Sequence, residues 1–249
     1  MDVRRLEEVL LNATAPPEQL LYDGWFLRLS REHIKRASSV NAAFPSMLPV
    51  MEKVDACERI YRERQLKPVF RITSLEGSGD LDRELARRGY RVFEPSVVQV
   101  ASINGGPASE LPAGMRFEGM DMASWVAMVG RLRGWPGHDV EAHTRRMAAS
   151  VLPSRCLSLL AGGEVASCGL VTVEGDYAGL FDIYTEPAFR GKGLATLLCA
   201  RLLAIGREQG ATFGWLSVLA ENAPALAVYR RLGFRTTYEY WYRVPEDYP

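Results

Sequence analysis

The sequence predicts an α/β (α+β) protein in which an antiparallel meander is flanked by helices, preceded by a smaller, diverged copy of the same unit. Three observations carry that prediction. Residues 156–185 hold three apolar or alternating runs separated by Gly162-Gly163 and Glu174-Gly175-Asp176, which is hairpin turn chemistry. Residues 194–244 then switch between helical and strand periodicity. Finally, Gly233-Phe234-Arg235 lies 144 residues after Gly89-Tyr90-Arg91, and the same offset lays residues 213–218 on 69–74 and Arg207-Glu208-Gln209 on Glu63-Arg64-Gln65 without a gap.

The elements follow in order. A Gly/Pro-rich seam, Ile103-Asn104-Gly105-Gly106-Pro107 and then Leu111-Pro112-Ala113-Gly114, places a boundary near residue 107 and gives units 1–106 and 107–249. Beyond it, 115–119 reads as a short strand and 122–132 and 140–151 as amphipathic helices, followed by the meander strands 156–161, 165–173 and 177–185. Leu197, Leu198, Leu202, Leu203 and Ile205 recur at helical spacing across 194–209, with Gly210 as the stop. Residues 213–219 read as a strand, 224–232 as a helix, and 236–244 as one or two aromatic strands burying one face. The second-half order is β-α-α-β-β-β-α-β-α-β.

Bulk composition narrows the function classes. An apolar content of 47% with 24% charged residues is that of a globular chain able to bury a core, which excludes disordered and fibrous classes. Thirty basic and thirty acidic side chains cancel and are interspersed, so no broad positive surface for a phosphate backbone is expected and nucleic acid is not a predicted partner. Cys57, Cys156, Cys168 and Cys199 lack CxxC spacing and mostly sit among apolar residues, which predicts reduced core thiols and a cytoplasmic location. The acidic start and the lack of a run near the ~18 apolar residues of a span predict a soluble protein without a signal peptide or membrane partner. No HExxH, carboxylate cluster or Cys/His grouping predicts a metal.

One turn carries chemistry. A strand ending at Thr185, a bend at Pro187 and then Arg190-Gly191-Lys192-Gly193 leading into a helix suits a phosphate. The first helical turn presents unpaired N–H groups and partial positive charge, and glycines let the backbone approach the anion closely. A P-loop would need Ser or Thr after Gly191-Lys192, and Gly193 stands there. A dinucleotide fingerprint would need a third glycine where Thr196 stands, after a βαβ start rather than a meander.

Arg190-Gly191-Lys192-Gly193-Leu194-Ala195 instead resembles the (Gln/Arg)-x-x-Gly-x-(Gly/Ala) signature of the GCN5-related N-acetyltransferase (GNAT) superfamily. The resemblance extends to the lead-in Ile183-Tyr184-Thr185-Glu186-Pro187, to Asn222, and to Ala227-Val228-Tyr229-Arg230-Arg231-Leu232-Gly233-Phe234, covering about residues 113–245. It implies a mixed, mostly antiparallel GNAT-type sheet and an acetyl-coenzyme A-dependent N-acetyltransferase working by direct transfer to a primary amine in a ternary complex. Backbone N–H groups of Arg190, Gly191, Lys192, Gly193, Leu194 and Ala195 would hold the pyrophosphate, Ile183 and Thr185 would pair with the pantetheine arm, and Asn222 would contact that arm. Tyr229 stands where the family carries its general acid, and the oxyanion would meet the N–H of Ile183 or Tyr184.

The attacking amine must lose a proton, for which Asp182, Glu186 and Glu221 are candidate bases, Asp182 first because it lies on the strand beside the thioester. Trp135 and His138 lie on the connection that lines the acceptor side in the family, while His33 and His143 read as surface positions. At the 144-residue offset the signature falls on Ser46-Met47-Leu48-Pro49-Val50-Met51, Tyr229 on Leu85 and Asn222 on Ser78. The first unit is therefore expected to bind no acetyl-coenzyme A and to pack, shape the cleft or support a homodimer. The acceptor class is a small-molecule or peptide amine, and the rival reading is a non-catalytic acyl-coenzyme A sensor.

Overall fold

The computed structural model describes residues 2–32, 34–75, 77–105 and 111–249. The first half runs α1 (Val3–Ala13), β1 (Gln19–Tyr22), β2 (Trp25–Arg28), β3 (Val40–Ala42), α2 (Val50–Glu63), β4 (Phe70–Thr73), α3 (Gly79–Arg87) and β5 (Arg91–Ser102). The second runs β6 (Met115–Met120), α4 (Met122–Arg133), α5 (Gly137–Ala149), β7 (Ser154–Ala161), β8 (Glu164–Glu174), β9 (Tyr177–Thr185), α6 (Leu194–Glu208), β10 (Phe213–Leu219), α7 (Ala223–Arg231) and β11 (Arg235–Val244). Element order in the second half is the one that periodicity predicts. The aromatic end is one strand, with Tyr238, Tyr240, Tyr242 and Val244 buried on one face.

All eleven described strands form one sheet, in the order β1-β2-β3-β4-β11-β5-β10-β9-β8-β7-β6. Only β3–β4 and β9–β10 pair in parallel. The join between the halves is an exchange. β5 leaves its own half to pair with β10, while β11 pairs with β4, and the two exchanged strands lie antiparallel to each other.

The 144-residue offset relates these pairings. Arg91 faces Val244 and Val100 faces Arg235, a pair of contacts that the offset interchanges, and Ser96 facing Tyr240 maps onto itself. The halves thus meet in a symmetric strand crossing at Ser96 and Tyr240. The expected boundary near residue 107 lies outside the described residues, and the sheet itself runs through both units.

Apolar packing lies on both faces. Leu198, Leu202 and Leu203 of α6 pack with Leu180, Leu216 and Tyr229 on one side. On the other, Leu6, Val9 and Leu10 of α1 meet Trp215, Tyr238 and Tyr240. The four cysteines are buried and unpaired. No helix among the described residues is long and apolar enough to cross a membrane.

Candidate active site

The site begins where two strands part. β9 pairs with β10 only at residues 177–179 against 213–215, although β9 stays paired with β8 to Thr185 and β10 stays paired with β5. A bulge in β9 accompanies the parting: Leu170 faces Phe181 and Cys168 faces Tyr184, so Asp182 and Ile183 stand opposite Gly169 alone. Ile183 packs over Gly169, where a Cβ would lie 2.5 Å from Ile183 Cδ1. Asp182 adopts a left-handed φ of 50°, a strain of roughly 1–2 kcal/mol for a residue with a Cβ. Glu186 N–H donates to Ala166 O, which turns Tyr184 toward β8 and Ile183 and Thr185 toward the open edge. At present that edge meets guanidinium groups: Arg133 Nη2 donates to Ile183 O (3.3 Å) and Arg190 Nε to Thr185 O (3.1 Å).

The predicted phosphate turn follows directly. After a short 3₁₀ turn at Pro187–Phe189, Gly191 and Gly193 take left-handed φ values of 77° and 75°, and α6 starts at Leu194. Gly193 is the N-cap and no side chain caps this end. The N–H groups of Gly191, Lys192 and Gly193 donate to no protein atom among the described residues. A Cβ on either glycine would meet nothing within 4 Å, so no other protein atom packs against the turn on that side. Arg190 is the exception within the signature, its N–H turned to Pro187 O at 3.3 Å. Free amides, helix dipole and the Arg190 and Lys192 cations fit the pyrophosphate of acetyl-coenzyme A.

The corresponding turn of the first half is filled from within. The N–H groups of Met47 and Leu48, which stand at the offset of Gly191 and Lys192, donate to the Asp23 carboxylate at 2.9–3.1 Å. Buried Lys53 adds its ammonium 3.3 Å from the same carboxylate. These bonds hold the Asp23 carboxyl below its usual range, the backbone donors of Leu48 and Met47 being the main cause. A protein carboxylate therefore sits where the second half leaves its amides open.

Tyr229 lies near the end of α7, its ring edge-on to Phe234 and buried with the α6 face. Its hydroxyl makes no hydrogen bond among the described residues, and burial pushes its phenol well above the ordinary range. It stays protonated throughout the neutral range. Asn222 caps α7, its side-chain oxygen accepting from Ala225 N at 3.2 Å. Ser78 holds the equivalent cap position of α3, while Leu85 is fully buried.

Asp182, in contrast, is backed by a buried polar chain. His143 is fully buried rather than on the surface: α5 turns Asp139, His143 and Arg146 inward, a stripe at helical spacing. His143 Nε2 lies 3.9 Å from Asp182 Oδ2, and its Nδ1 lies 3.3 Å from Glu32 Oε2. Arg146 Nε donates to Glu32 Oε1 at 2.8 Å, and the Trp135 ring packs on the imidazole with centroids 5.1 Å apart. Burial pushes the Glu32 carboxyl up, but His143 and Arg146 outweigh it and hold it below its usual value.

Sequence reasoning passes over His143 and Glu32 because their contact joins different halves. The available signal is the charged stripe Asp139, His143 and Arg146 on the inner face of a helix. Trp135 supports the imidazole, whereas His138 is exposed and Glu221 lies on the surface. His33 lies outside the described residues.

Comparison with known proteins points to one family. The pattern of the acetyltransferase (GNAT) family matches residues 122–234. An uncharacterised N-acetyltransferase of Bacillus subtilis (strain 168), YobR, is 24% identical over 248 residues, 98% of both chains. A stretch of 78 residues is 37% identical to the ribosomal protein bS18 alanine N-acetyltransferase of Salmonella typhimurium, spanning 31% of this chain and 53% of that enzyme. A GCN5-related N-acetyltransferase from Kribbella flavida superposes with a TM-score of 0.73 at 15% identity, over 99% of this chain and 95% of its own, which shows the shared fold.

Proposed function

The chain carries a domain of the acetyltransferase (GNAT) family, which uses acetyl-coenzyme A, and we propose that it moves an acetyl group from acetyl-coenzyme A to a primary amine by direct transfer in a ternary complex. The observation that carries this reading is the pair of left-handed glycines, Gly191 and Gly193, opening the first turn of α6 beside the β9 edge. Gly191, Lys192, Gly193, Leu194 and Ala195 bind the pyrophosphate through backbone N–H groups. Ile183 and Thr185 offer their backbone to the pantetheine arm once Arg133 and Arg190 move off their carbonyls, and Asn222 flanks that arm.

Acetyl-coenzyme A supplies the acyl group as a thioester, so an N–C bond forms while a C–S bond breaks. Asp182 takes the proton of the attacking amine on a carboxylate oxygen, directly or through one water. The Ile183 N–H stabilises charge on the carbonyl oxygen, and as a fixed donor it needs no reorganisation. Tyr229 gives its phenolic proton to the departing sulfur. His143 stands behind Asp182 as a positioning residue, held by Glu32 from the first half. The test is a thiol-release assay with acetyl-coenzyme A across a panel of amines, combined with thermal-shift measurements against dinucleotides. Release that depends on an amine supports the reading, and stabilisation by dinucleotides alone sinks it.

A further inference from the structure

A cavity of about 250 Å³ opens between the halves, lined among others by Lys35, Arg36, Glu94, Ser96, Ser217 and Tyr240. Its position follows from the parting of the strands. Ser217 lies two residues beyond Trp215, the last residue of β10 that pairs with β9, and strand alternation puts it on the Trp215 face, opposite α6. Asp182 lies three residues beyond Gly179, the β9 partner of Trp215, so Ser217 and Asp182 both stand just past the parting of the strands. The cavity therefore opens at the same parting of the strands as the proposed base, on the face opposite α6.

Its charge is unbalanced. Lys35 Nζ is paired with Glu94 Oε1 at 2.9 Å, whereas Arg36 forms no ion pair among the described residues. Arg36 Nη1 donates to Ser217 Oγ (3.0 Å) and to the Tyr240 hydroxyl (3.2 Å), both neutral oxygens. Its Nε is buried without a partner, its Nη2 donates to no protein atom among the described residues, and no described carboxylate lies within 4.0 Å. A partly desolvated guanidinium is costly unless an anion completes it, and planar carboxylates are its best complement. The volume holds about eight waters at ~30 Å³ each, which is the size of an amino acid and too small for a folded partner.

We propose that this cavity takes the carboxylate of the amine acceptor, with Arg36 as its charge partner and Ser217 and Tyr240 as flanking hydroxyls, so that the acceptor is a free amino acid. This rests on the acetyl-transfer reading above and narrows it. Polyamines and other polycationic acceptors meet Arg36 as a like charge and are disfavoured.

The test compares the L-amino acids, singly, with their carboxamides and with the matching amines that lack the carboxyl group. Thiol release from acetyl-coenzyme A is followed, and thermal shift by each amino acid is measured without acetyl-coenzyme A. The expected result is a kcat/KM for at least one amino acid about 10- to 100-fold above that of its carboxamide, the range set by a hydrogen bond to a charged group. Arg36→Gln should erase that preference, bringing the kcat/KM values of the amino acid and its carboxamide within about threefold of each other. Arg36→Lys should keep part of it, which separates loss of charge from loss of fold.

Wild-type enzyme that treats acids, carboxamides and plain amines alike overturns the proposal and leaves acetyl transfer standing. If no acceptor releases thiol, stabilisation by an amino acid but not its carboxamide, lost in Arg36→Gln, keeps the site and removes the transfer reading. Absence of any amino-acid stabilisation in that case overturns both.

Discussion

His143 Nε2 faces Asp182 Oδ2 at 3.9 Å, and the other ring nitrogen faces Glu32, so a fully buried imidazole from α5 joins a carboxylate of the first half to one at the bulge of β9. Among the described residues His143 Nε2 and Glu32 Oε2 have no hydrogen-bond partner, while Arg146 Nη2, a donor only, lies 3.2 Å from His143 Nδ1 and so makes that nitrogen an acceptor. The relationship gives the first half a direct hold on the proposed base. Asp182→Asn should lower kcat by about 100- to 10,000-fold, the usual worth of a general base, while acetyl-coenzyme A affinity stays near wild type. His143→Gln should lower kcat less and shift the pH dependence of kcat/KM. A pH profile superposable on wild type would remove His143 from the positioning role.

Glu32→Gln tests the same chain through stability. The Glu32 carboxyl is depressed in the folded protein because His143 and Arg146 outweigh the upward push of burial. A depressed carboxyl contributes stability above its unfolded pKa of about 4.3 and loses it as pH falls through the folded value. Urea unfolding should therefore show wild type more stable than Glu32→Gln by about 3–5 kcal/mol at neutral pH, the cost of breaking a buried pair. The difference should shrink in acid. A gap that widens as pH falls would contradict the assignment.

Tyr229→Phe should reduce turnover with little change in acetyl-coenzyme A binding, since burial keeps this phenol protonated across the neutral range. Unchanged kcat would take Tyr229 out of the proton-donor role.

One chain should bind one acetyl-coenzyme A. The first-half amides of Met47 and Leu48 are already bonded to Asp23, whereas those of Gly191, Lys192 and Gly193 are open. Titration calorimetry should give one site per chain, lost in Gly193→Asp, in which an acidic side chain stands in the anion position on a backbone that favours glycine. A second site surviving that substitution would show that the first half also binds the carrier.

What was legible in the sequence was local. The meander, α6 and α7 follow from turn residues and periodicities within short windows, and the glycine turn ahead of α6 from six consecutive residues. The 144-residue echo anticipates equivalent strands in the two halves, but not that β5 and β11 change places, because an alternating strand fits either neighbour. Nor does periodicity place Asp182 at a bulge, which is a property of the β8–β9 register. The inward stripe of Asp139, His143 and Arg146 was present in the spacing, but its partner Glu32 lies in the other half.

The central claim is most directly tested by acceptor-dependent thiol release from acetyl-coenzyme A, measured on wild type and Gly193→Asp side by side. Release that requires both an amine acceptor and an intact turn at Gly193 is the predicted result. Acetyl-coenzyme A binding at that turn with no acceptor-dependent release from any amine would contradict it, and would make the chain an acyl-coenzyme A sensor instead of an N-acetyltransferase.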